Sequence, residues 1–141
     1  MKTRLHSYAA ILLVGLSIAG ANQLCAHDIT LQPVDTAGLD ALGPDWRTDN
    51  PYRGNELAVK IGASGYNQNC ARCHGLEVIS GGIAPDLRAL EKNQEGDKWF
   101  LNRIRHGAKI NGDTKMPPFE GLLSQEAMWA IRTFIESRPA E

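Results

Sequence analysis

A chain of 141 residues with 15 Lys+Arg against 16 Asp+Glu has a formal net charge of −1, which excludes the strongly basic surface of a nucleic-acid binder. No Lys/Arg run marks a patch for an anionic membrane surface. The length, less a targeting segment, is that of one small domain.

The first residues read as an address. Lys2 and Arg4 precede an apolar run from Ala9 to Ala21 in which Ser17 is the most polar side chain. A bilayer-spanning helix needs about 20 such residues, so this run is too short. A basic start, a short apolar core and small residues behind it make a cleaved secretory signal. Cleavage after Ala26 is expected, because it discards Cys25, otherwise a lone thiol in an oxidising compartment. Cleavage after Ala21, in the frame Ala19-Gly20-Ala21, is the alternative. The residues before Cys25 are not those of a lipid-anchored cysteine. The expected organisation is a signal peptide at 1–26, an extended arm at 27–53 and a folded domain at 54–141, located in the periplasm.

The arm contains Pro33, Pro44 and Pro51 and keeps neither a helical nor a strand period. It also holds Leu31, Leu39, Leu42, Trp46 and Tyr52, too much apolar surface for a plain linker, so part of it is expected to lie against the domain. It is acidic: five aspartates and one arginine fall between His27 and Asn50. A helix is predicted from Asn55, its cap, to Asn69, with Leu57, Ala58 and Ile61 on its apolar face. Gly62 and Gly65 each lower its propensity by ~1 kcal/mol relative to alanine, which points to close packing there. A second helix is predicted to end at Gly107, with Asp97 as cap and Phe100, Leu101 and Ile104 inside. The last is capped by Ser124, buries Ala127, Ala130, Ile131, Phe134 and Ile135, and stops at Pro139. No strand pattern is visible. An all-α fold of three to four short helices and long loops results, and so small a core calls for a staple.

Cys70-Ala71-Arg72-Cys73-His74 is the candidate staple. Structural zinc needs four ligands, and no second cysteine pair exists. A redox pair of this spacing belongs at a strand end in an α/β fold, whereas the approach to Cys70 is helical. Covalent haem explains more: two thiols so spaced bond the two vinyl groups of a porphyrin, and His74 becomes the proximal iron ligand. One haem c is the expected cofactor. For the sixth position Met116, before the stiff Pro117-Pro118, suits a soft thioether ligand. Met128 reads as helix packing and His106 as a solvated histidine, and an open site is the remaining alternative.

At these residues the chain resembles the class I c-type cytochromes, from about Asn55 to Arg138. The resemblance implies that Gly62 and Tyr66 let the first helix cross the last at Ile131 and Phe134. It implies that Pro85 accepts the imidazole proton of His74 and that Met116-Pro117 is the ligand loop. More narrowly, "DTAGLDALGPDW", "NPYRGN" and "KINGDTKMPPF" look like the small periplasmic cytochromes that serve pyrroloquinoline-quinone (PQQ) alcohol dehydrogenases. The implied function is a soluble, monomeric one-electron carrier, not an enzyme. Its donor would be such a dehydrogenase, its acceptor a terminal oxidase or another cytochrome, with no nucleic acid and no stable membrane insertion. Arg72, Lys109 and Lys115 would flank the docking edge, and Arg88 and Trp99 are candidates for the propionates. A peroxidase-like or gas-binding haem protein with a labile sixth ligand is the alternative; a third is a subunit docked permanently through the arm.

Overall fold

Asn55 opens the first helix as its sequence position predicts: the side chain accepts a hydrogen bond from Ala58 N at 3.0 Å, satisfying one of the orphan donors of the first turn. The computed structural model describes residues 30–139, so the expected signal segment lies outside the described residues. Helix α1 spans Glu56–Asn69, and the short α2, Ala71–His74, follows directly. Two 3₁₀ turns, Leu76–Val78 and Leu87–Ala89, shape the next loop. Then come α3 (Gln94–His106), strands β1 (Ala108–Ile110) and β2 (Asp113–Met116), and α4 (Gln125–Ser137). The fold is mostly helical, as expected.

Three expectations are corrected. The first is the loop after Gly107, which contains an antiparallel hairpin of β1 and β2. Asn111 and Gly112 sit at its tip with φ of 53° and 86°, the left-handed pair a two-residue hairpin turn requires. The second is Asp97, which is not a cap. Asn93 caps α3, accepting from Glu95 N and Gly96 N, and Asp97 is buried one turn further in. The third is the inner face of α1: Leu57 is 40% exposed, and the buried seam is Ala58, Gly62, Gly65 and Tyr66.

That seam is where α1 crosses α4. A Cβ on Gly62 would stand 1.9 Å from Ala130 O and 3.0 Å from Ile131 N, so the neighbour at the crossing is backbone. Beside it Phe134 packs its ring on Tyr66 at 5.3 Å. Gly62→Ala therefore sets ~1 kcal/mol of gained helix propensity against a clash that no rotamer relieves. A net loss of about 1–3 kcal/mol is expected, seen as a lower melting temperature of the intact protein by circular dichroism. An unchanged or higher one would contradict the close crossing.

The arm is part of the fold. It runs back along α1: Gln32 and Asn69 exchange two hydrogen bonds, of 2.8 and 3.1 Å, and Val34 lies against Gly65. It then crosses the start of α4, where Leu42 N donates to Glu126 Oε1 at 2.9 Å and Arg47 N to Gln125 Oε1 at 2.7 Å. Leu42 and Tyr52 are buried, which explains why α4 is buried nearly all round rather than on one stripe. The arm covers one side and α3 another, with Phe100 against Trp129 at 6.3 Å.

Candidate functional site

Helix α1 delivers the chain into Cys70, whose N–H bonds Tyr66 O at 2.8 Å. The next turn is closed by Cys73 N and His74 N on Cys70 O, at 3.1 and 3.0 Å, so both cysteines share one face of a single turn. Gly75 then turns the chain away with φ 82°, and a Cβ there would stand 1.8 Å from Ile79 O, so only glycine fits. Tyr66 explains its own burial: the phenol O–H donates to Gly75 O at 2.9 Å. Burial raises its pKa above the ordinary tyrosine value and keeps it a donor. A residue on α1 thus fixes the backbone next to His74.

His74 is half-buried, and its Nδ1–H donates to Pro85 O at 2.9 Å. This bond fixes the tautomer and leaves Nε2 with its lone pair for a metal. The loop between them is folded by its own side chains. Ser80 Oγ donates to Ala84 O and accepts from Gly82 N at 3.1 Å. Asp86 accepts from Arg88 N and pairs with the Arg88 guanidinium at 2.6 Å. The Arg88 side-chain hydrogen bond holds the Asp86 carboxyl down at about 2. Ser80 and Asp86 escaped the sequence reading, although a serine before Gly-Gly and an aspartate two before an arginine are turn signals. Glu77 and Val78 are left-handed, with φ of 54° and 68°. That is rare for a β-branched residue, and Val78 is held there with its side chain fully buried.

Met116 ends β2 opposite Ala108, half-buried against the core. Its backbone is clamped to the end of α3: a Cβ on Gly107 would lie 2.3 Å from Met116 O, and Phe119 N donates to Ile104 O at 2.9 Å. Met128 is fully buried in α4. His106 is exposed, its Nδ1–H donating to Asn102 O at 3.1 Å and its Nε2 3.7 Å from Glu120. The Arg88 guanidinium is engaged by Asp86, and Trp99 is exposed beside Arg103 at 5.5 Å.

The donor set decides among the three chemistries of the motif. Cys70 and Cys73 form no disulfide, and burial, with Cys73 adding to it, pushes the Cys70 thiol up to about 12. Redox-active cysteines have lowered pKa values, the opposite of what burial does at Cys70. Among the described residues no three or more His, Cys, Asp or Glu gather to hold a metal, which leaves zinc short of the four ligands a structural site needs. Leu76, Ile79 and Ile83, on the loop after His74, stay 72, 55 and 79% exposed. Such a row of apolar side chains fits the face of a flat apolar macrocycle. Two sulfurs for thioether bonds, a tautomer-fixed imidazole and this apolar loop together fit a covalently attached haem.

The chain is similar to known proteins over most of its length. The family model described as cytochrome c oxidase, cbb3-type, subunit III matches residues 57–135. Cytochrome c550 of Pseudomonas aeruginosa is 54% identical over 131 residues, 90% of each chain. The cbb3-type cytochrome c oxidase subunit FixP of Rhizobium etli is 35% identical over 92% of this chain and 44% of its own. The solved quinohemoprotein alcohol dehydrogenase ADHIIG of Pseudomonas putida HK5 superposes with a TM-score of 0.51 at 30% identity, over 70% of this chain and 14% of that one.

Proposed function

We propose that this chain, which belongs to the cytochrome c family, is a periplasmic carrier that takes single electrons from a quinoprotein alcohol dehydrogenase and delivers them to a terminal oxidase. As a member of that family it is an electron transfer protein and carries one covalently bound haem c. The haem supplies one-electron iron chemistry; the chain's own residues set its terms. Cys70 and Cys73 would hold the macrocycle, His74 would ligate iron, and Pro85, through the 2.9 Å bond to His74, orients the imidazole and fixes its tautomer. Met116 is proposed as the second protein ligand to iron. A site filled on both sides leaves no position for substrate, which favours electron transfer over the peroxidase-like alternative.

The His74–Pro85 bond is the observation that carries the site, and the relatives support the partners. One relative is named as a quinohemoprotein alcohol dehydrogenase and another as an oxidase subunit, which supports partners of these kinds. Arg72, Lys109 and Lys115 are exposed near the motif and on the hairpin, with Lys115 lightly paired to Asp113 at 3.3 Å. They suit electrostatic steering of an acidic partner, which acts on the association rate and fades with salt.

The test mixes the oxidised, haem-loaded protein with a quinoprotein alcohol dehydrogenase and its alcohol, and follows haem reduction by stopped flow. Reduction that saturates with enzyme and slows as salt rises is expected. If turnover leaves the haem oxidised while chemical reductants reduce it, the carrier stands and the donor is wrong.

A further inference from the structure

The arm reaches the segment that follows Met116. Trp46 lies over the guanidinium of Arg105, on α3, with 4.1 Å from the arginine carbon to the ring centroid. The same guanidinium donates through Nη2 to Glu120 Oε1 at 2.7 Å. Arg105 Nε is buried and makes no hydrogen bond, so its orientation is set by the indole on one side and the carboxylate on the other. The Arg105 bond holds the Glu120 carboxyl below its usual range. Besides the 3.7 Å approach of His106 Nε2 to Glu120, three ties join residues 116–120 to the end of α3 and its cap, two of them backbone contacts, at Gly107 and Ile104. The third, Glu120 to Arg105, is the one the arm covers.

We propose that Trp46 is a positioning residue for the proposed iron ligand Met116. It stacks on Arg105 and shields the Arg105–Glu120 pair, so the arm latches the ligand loop to α3 and slows release of the sulfur from iron. An exposed ion pair contributes little; a guanidinium sandwiched under an indole is partly desolvated and holds its geometry. The arm is itself fixed on both sides of Trp46, by Leu42 and Arg47 on α4 and by Asn50 and Arg53 on α3 and α4. Trp46 therefore acts from an anchored loop. This inference rests on Met116 being the sixth ligand.

The experiment uses the ferric, haem-loaded protein and cyanide as the probe, since cyanide enters only when the sulfur leaves. The readouts are the cyanide binding rate and the temperature at which the weak far-red sulfur-to-iron band disappears, with the far-UV melt measured beside them. Trp46→Ala and Arg105→Gln are each expected to speed cyanide entry about three- to thirtyfold and to lower the band's loss temperature more than the melt. Trp46→Phe should restore most of the wild-type rate. Trp46→Ala combined with Arg105→Gln should be no faster than the faster single variant. A normal rate in Trp46→Ala, or rates that multiply in the double variant, would overturn the latch. So would band and melt falling together in every variant, which marks a merely structural role. A wild-type protein without the far-red band, or one whose band survives Met116→Ala, defeats the ligand assignment, and the latch falls with it.

Discussion

Asp97→Ala is expected to cost roughly 3–5 kcal/mol, a large share of the 5–15 kcal/mol typical of a domain, and to lower the melting temperature of the haem-loaded protein accordingly. Asp97 and Arg132 have no exposed side-chain surface and pair at 2.8 Å. The second carboxylate oxygen accepts from Asn50 N at 2.8 Å and Arg53 Nη2 at 2.6 Å. Arg53 and Arg132 also reach Glu136, at 2.9 and 3.2 Å, so two cations face two carboxylates. Removing Asp97 leaves Arg132 buried with its charge poorly compensated and frees the arm at Asn50. Desolvation opposes the Asp97 charge, yet the bonds from Asn50, Arg132 and Arg53 outweigh it and leave the carboxyl below its usual range. A carboxyl lowered on folding contributes stability that is complete above its unfolded value, ~4, and is lost as pH falls through the lower folded one. Asp97→Asn should accordingly lose part of the wild-type decline on the acid side, read from guanidinium melts between neutral pH and pH ~3. An Asp97→Ala protein as stable as wild type would show that the cluster only fills space.

Met116→Ala is expected to abolish the far-red band, open the iron to cyanide and lower the midpoint potential by a few tenths of a volt, within the ~0.8 V over which axial ligands set it. The sign follows from softness: a thioether favours ferrous iron, so its loss favours the ferric state. Potentiometry and optical spectra on one preparation read all three. Fold stability should change less, because the clamp on this segment is made by Gly107, Ile104 and Arg105, not by the methionine side chain. An unchanged potential and band would move the assignment elsewhere. His106 is then poorly placed to replace it, being engaged with Asn102 and Glu120 on the solvent side of α3.

Local chemistry was legible where it completes itself within one turn of chain. The caps Asn55 and Ser124 each accept a bond from a backbone amide three residues on, and Gly107 stops α3 with φ 72°. The haem motif belongs to the same class, since residue type and spacing carry its meaning, whereas the crossing at Gly62, with Ala130 and Ile131, was implied by the family resemblance. The hairpin was missed although Asn111-Gly112 is a hairpin signal, because strands of three and four residues are too short to display alternation. Asp97 was misread because an acidic residue early in a helix has a local use as a cap, while its real partners, Arg132 and Arg53, lie 35 and 44 residues away.

By itself, then, the amino-acid order determined the three main helices, the caps Asn55 and Ser124 and the stop at Gly107, the covalent haem and the family of chemistry. Each of these follows from neighbours in the chain, where spacing alone sets geometry. Only the tertiary structure decided where the acidic, proline-rich arm lies on α1 and α4, that a buried ion cluster pins it, and that Trp46 meets Arg105 beside the Met116 segment. Those contacts join residues separated by tens of positions and have no period. They exist because α1, α3 and α4 bring their surfaces together, and the packing of those surfaces selects which charges end up desolvated and paired.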